Sequence, residues 1–205
     1  VTNEIVRATI EHVIIVVVAV AIAATIGIPI AIAAVRHQRW GRRFLRVIDV
    51  VQTIPSLALF GFLIPLPFIG GIGVRTAIVA LVLYSLLPIV RNTVTGITGI
   101  DALVREAATV MGMTDRQRLF AIELPLAMPS ILAGLRVATV IAIGVATIGA
   151  AVGGGGLGTL IFRGVAMVDT SRILSGALPA AALALLADLL FSGVESFAAR
   201  RYGRQ

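Results

Sequence analysis

The run Gly153-Gly154-Gly155-Gly156-Leu157-Gly158 formally satisfies GxGxxG, the spacing with which backbone amides cradle a dinucleotide pyrophosphate. That chemistry needs the glycines between a strand and a helix of a βαβ unit, and here they follow a long apolar run. No Lys-Ser/Thr pair follows them, so a P-loop is excluded as well. Thiolate and metal chemistry have no foothold: cysteine is absent, and His12 and His37 are too isolated for metal ligation. No Ser-His-Asp set is evident. Asp188 and Arg136 differ from these, because each lies deep in an apolar segment, where a charge is costly unless it faces the bundle or a partner. An intramembrane acyl or phosphate transferase would cluster Asp, His or Ser at such a depth, and Asp188 stands alone. The residues argue for a chain that performs no chemistry of its own and binds no cofactor itself.

The elements that must position these residues are membrane spans. Of 205 residues, 59% are hydrophobic and 13% charged, where a soluble domain carries about 25% charged. The mean hydropathy is +1.05. The net charge of +7 comes from arginine alone, but the arginines fall in short segments between apolar runs rather than on one soluble face, which argues against nucleic acid. An all-α integral membrane protein with about five transmembrane helices is predicted, as one transmembrane domain over 1–205. The spans are expected at about 13–35, 47–69, 74–94, 126–152 and 173–197. The first follows Glu4, Arg7, Glu11 and His12 rather than a basic leader, and it is longer than a signal core, so it reads as a retained span. Its 23 residues would extend roughly 35 Å, enough for a hydrocarbon core of about 30 Å. Pro55, Pro65 and Pro67 predict that the second is broken or re-entrant, and Pro88 interrupts the third.

Arginine placement orients the chain. Arg36, Arg39, Arg42, Arg43, Arg46, Arg91, Arg105, Arg116, Arg118, Arg200, Arg201 and Arg204 fall on one side; Arg7, Arg75, Arg163 and Arg172 fall on the other. The N-terminus is therefore expected outside, with the C-terminus and the 95–125 loop in the cytoplasm. On the same depth count, Arg136 and Asp188 both sit roughly 15–18 Å from the cytoplasmic ends of their spans. An intramembrane ion pair between them is predicted, as a structural lock.

The 95–125 loop is patterned. Asp101 through Met111 has helical composition, Gly112 breaks it, and Thr114-Asp115-Arg116-Gln117 fits a capping box that opens a second helix to Ile122. Leu119, Phe120 and Ile122 give that helix an apolar side. A bent, amphipathic cytoplasmic element suits either a partner's groove or the membrane surface.

Glu106-Ala107-Ala108, Gly112 and Ile122-Glu123-Leu124-Pro125 stand at the spacing of the EAA signature. In them the chain resembles the permeases of binding-protein-dependent ABC importers, with the type I, MetI-like fold. Gln52-Thr53-Ile54-Pro55-Ser56-Leu57-Ala58-Leu59, Leu87-Pro88-Ile89-Val90-Arg91-Asn92-Thr93 and the 153–164 stretch resemble osmoprotectant permeases of the OpuC or ProW type. Methionine or other amino-acid permeases of the same class are the alternative.

The resemblance implies a bacterial inner-membrane subunit for glycine betaine, choline or carnitine. It implies a second permease copy, identical or related, two ATP-binding subunits that hold the ATP and Mg, and an extracytoplasmic substrate-binding protein. It makes the loop an ATPase-coupling element carried by Glu106, Ala107, Ala108, Gly112, Met113, Thr114, Arg116, Gln117, Phe120, Leu124 and Pro125. It makes Gly153, Gly155, Gly158, Phe162 and Arg163 a candidate outer-mouth loop, for which a flexible or close-packed connector is the plainer reading. Tyr84, Phe60 and Phe62 are scattered aromatics with packing as their default, and Trp40 falls in the cytoplasmic loop. No cation-binding cage is legible, which assigns selectivity to the binding protein.

Overall fold

A computed structural model describes residues Thr2 to Tyr202, without the side chains of Gln38, Arg39, Trp40, Arg42 and Phe44. Expectations resting on Arg39, Trp40, Arg42 and Arg204 lie outside the described residues. Within them all regular structure is helical. In hydrocarbon every backbone N–H and C=O must find a partner within the segment, and a helix achieves this without an edge. The elements are α1 (Thr2–Arg36), α2 (Gln38–Thr53), α3 (Ser56–Leu63), α4 (Val74–Thr98), α5 (Ala102–Val110), α6 (Asp115–Arg118), α7 (Leu124–Gly149), α8 (Gly158–Met167) and α9 (Thr170–Tyr202).

Helices α1, α4, α9 and the continuous stretch Asp115–Val152 are long and apolar enough to cross a membrane. A fifth span is made if α2 and α3 count as one, bent by 103° at Ile54–Pro55. The packing runs α1 on α4, α4 on α7 and α7 on α9. Where these helices cross, Ala19, Ala23, Ala80, Ala138 and Ala142 are fully buried, since small side chains let backbones approach where lipid provides no hydrophobic drive. Phe60 and Tyr84 belong to this core, whereas Phe62 faces outward.

The two proline interruptions are clamped to each other. Pro88 has no N–H to donate to the carbonyl of Tyr84 one turn back. Gln52 Nε2 donates to that carbonyl at 2.8 Å instead, and α4 continues unbroken. In return the Tyr84 hydroxyl donates to the carbonyl of Ile54, at the break before Pro55. Gln52→Leu should therefore leave a buried acceptor unsatisfied and destabilise the fold by about 1–3 kcal/mol. A lowered thermal midpoint of the detergent-solubilised protein would show it; an unchanged midpoint would mean that Tyr84 finds another donor.

Three expectations need correcting. The 95–125 loop is shorter than its predicted bounds, because α4 runs to Thr98 and Leu124 and Pro125 form the first turn of α7. The second loop helix is also not a separate short element: α6 passes through a π turn at Leu119–Glu123 directly into α7. Pro125 has no N–H for the turn behind it, and there the helix widens. The stretch carrying Gly158, Phe162 and Arg163 is also not a plain loop or connector: it forms α8, an apolar helix of ten residues that is too short to span.

Candidate functional site

At one end of the bundle α5, Gly112 and α6 form a bent arm. Asp101 caps α5 by accepting the Leu103 amide at 2.9 Å. Gly112 ends it at φ +75, a conformation that costs any residue with a Cβ about 1–2 kcal/mol. Thr114 and Gln117 then form the reciprocal cap: the Gln117 amide donates to Thr114 Oγ1 at 3.3 Å, and the Thr114 amide donates to Gln117 Oε1 at 2.8 Å. The bend is set by local chemistry.

The signature residues divide between the arm's interior and its surface. Ala108 is fully buried and Met113 half-buried, while Glu106, Ala107, Gly112, Thr114, Arg116 and Gln117 are exposed. Phe120 is 60% exposed, and sequence reasoning passed over two larger apolar surfaces, Val110 at 88% and Met111 at 71%. Both flank the bend. Glu123, which the sequence places in the signature stretch without a role of its own, is 2% exposed. Arg36 at the end of α1 donates to its Oε2 at 2.6 Å, and Arg118 Nε donates to its Oε1 at 3.2 Å. The proximity of Arg36 had no sequence signal, because the two lie 87 positions apart.

Halfway along α7 and α9, Arg136 meets Asp188 with both prongs, Nε to Oδ1 at 2.6 Å and Nη2 to Oδ2 at 2.8 Å. Glu195 adds a weaker third contact at 3.5 Å.

At the opposite end the glycines are close-packed. After α7, Gly153 turns at φ +79, the Gly154 amide donates to the Gly149 carbonyl, and Gly155 and Gly156 also have positive φ. The Gly156 amide donates to Glu11 Oε2 at 3.2 Å. Gly158 is buried, so it serves the seating of α8 on α7 rather than an open mouth. Gly153 and Phe162 remain exposed, and Arg163 donates to Glu4 of α1 at 3.1 Å. His12, buried beside this loop, places Nε2 3.2 Å from the Ile143 carbonyl.

Residues 23–204 match the family of binding-protein-dependent transport system inner membrane components. The chain belongs to that family. It is a multi-pass membrane permease subunit of an importer. Among its relatives, a carnitine transport permease protein, OpuCD, of Listeria monocytogenes is 47% identical over 171 residues, 83% of this chain and 75% of the relative. A glycine betaine/carnitine/choline transport system permease protein, OpuCD, of Bacillus subtilis is 45% identical over 186 residues, 90% of this chain and 80% of that one. The fold of the permease matches that of the inward-facing MetNI methionine ABC transporter, with a TM-score of 0.87 at 21% identity over 96% of this chain and 97% of that one.

Proposed function

We propose that this permease forms half of the translocation pathway of an ATP-driven importer for quaternary ammonium osmoprotectants such as glycine betaine, choline or carnitine. The observation that carries the coupling role is the arm itself. It is capped at both starts, bent at Gly112, and displays Val110, Met111 and Phe120 to whatever lies beyond the membrane. The substrate class rests on the relatives, whose named solutes are of that class.

In this reading the arm is cytoplasmic and the N-terminus outside, as the arginine bias favours. A second permease copy completes the pathway. Two ATPase subunits, which bind the ATP and Mg, each receive one arm in a cleft. Closure of the ATPases draws the two arms together and rocks the spans from inward-open to outward-open, a rigid-body switch. A binding protein then delivers substrate at the glycine end, and hydrolysis resets the cycle. The permease contributes positioning and movement but no catalytic group.

Gly112 supplies the test, because a Cβ there would meet nothing within 4 Å. A side chain at this position projects away from the arm, so it obstructs a partner rather than the fold. Gly112→Trp should abolish co-purification of the ATPase and uptake of labelled choline, carnitine and glycine betaine, while the permease is still extracted in normal amounts. Gly112→Ala isolates the backbone strain and should retain most of the association. Retention of both activities by Gly112→Trp would remove the coupling assignment.

A further inference from the structure

The arm is tied to the rest of the molecule through an ionic cluster that is centred on Glu123 of the signature stretch and reaches Arg36 and Arg118 outside it. Glu123 ends the π turn, and such widened turns are common where a helix re-aims a functional side chain. Its carboxylate is buried, yet both oxygens are taken by arginines from different parts of the chain: Arg36 closes α1, and Arg118 belongs to the arm. Arg118 also donates to Asp115 Oδ1 at 2.7 Å and to Thr109 Oγ1 on α5 at 3.4 Å. One guanidinium thus gathers α5, α6 and the π turn, and one carboxylate passes the connection to α1.

Beside the cluster is a cavity of about 480 Å³, lined among others by Arg36, Arg105, Arg118 and Glu123. The link therefore borders open space on one side, although Glu123 itself is buried. At its other end α1 is fastened by Glu4 to Arg163 and by Glu11 to the Gly156 amide. Helix α1 consequently joins the arm to the glycine loop.

We propose that Glu123 is a positioning residue for transport, a tether through which displacement of the coupling arm moves α1. The tether rests on the coupling role proposed for the arm. Removing either Glu123 or Arg36 leaves the charge of the surviving partner less compensated, so the two members should act as a unit. Arm and α1 then shift together when the ATPases close, and without the tether the arm would flex while α1 stayed behind.

The test uses the whole importer in proteoliposomes, with its ATPase subunits and binding protein, reading uptake and ATP hydrolysis on the same sample. Glu123→Gln keeps the shape and removes the charge. It should assemble with the ATPase at the normal ratio and hydrolyse ATP near the normal rate, while substrate moved per ATP falls about tenfold, a typical size for coupling between sites. Arg36→Gln should do the same, and the double variant should be no worse than either single one. Unchanged uptake per ATP in Glu123→Gln, or losses that multiply in the double variant, would overturn the tether. If Glu123→Gln does not assemble, Arg36→Gln decides, since Arg36 is partly exposed: an unchanged ratio there overturns it equally. Failure of the underlying reading would look different, as absent uptake or absent ATPase association in the unmodified importer.

Discussion

Arg136→Leu should remove nearly all folded permease from the membrane, more completely than Asp188→Leu. The arginine sits between two carboxylates, gripping Asp188 with two prongs and touching Glu195 at 3.5 Å. Its removal leaves two anions, two turns apart on α9, without their cation in an apolar segment, where an unpaired charge is costly. Removal of Asp188 is less severe, because Arg136 retains Glu195. The double variant Arg136→Leu/Asp188→Leu should recover folded protein relative to Arg136→Leu, because deleting a whole pair costs less than stranding one member. Arg136→Lys should fall between, since an ammonium cannot reproduce the fork. The amount of monodisperse protein recovered by size-exclusion after mild detergent extraction measures each. Normal recovery of Arg136→Leu would show that the pair locks nothing.

That pair was legible in the sequence for a simple reason. Two antiparallel spans with known ends convert residue counts into depth, and Arg136 and Asp188 came out level. The bend at Gly112 and the Thr114–Gln117 cap were equally legible, because both are local and their partners lie within three positions. What stayed hidden depended on distant partners. Glu123 is visible in the sequence as a signature residue, but only the fold brings Arg36 against it. The prolines divide: Pro55 breaks its helix as expected, whereas Pro88 does not interrupt α4, because Gln52 supplies the missing donor. Helix α8 escaped notice because an apolar helix of ten residues is too short to register as a span.

Gly158→Ala should be nearly as damaging as the loss of Arg136, although it adds a single methyl group. A Cβ at Gly158 would lie 2.1 Å from the Thr147 carbonyl oxygen and 2.7 Å from Ala150 Cβ. The obstacle is the backbone of the last turn of α7, which cannot rotate aside as a side chain can. Overpacking of this kind costs about 1–3 kcal/mol, and the upper end is expected because two helix ends must separate. Gly144 provides the control, for it lies on α7, the helix against which Gly158 packs, with nothing within 4 Å of an added Cβ. Gly144→Ala should be neutral, or stabilising by about 0.5–1 kcal/mol through reduced chain entropy. Thermal midpoints of the two variants should move apart. The functional consequence follows from what α8 carries: Arg163 reaches back to Glu4, and the Gly156 amide holds Glu11, so displacing α8 loosens α1 at the end where substrate is proposed to enter. Uptake by Gly158→Ala should accordingly fall further than its loss of folded protein explains. Equal losses would confine the glycine run to packing and leave delivery of substrate to other parts of that surface.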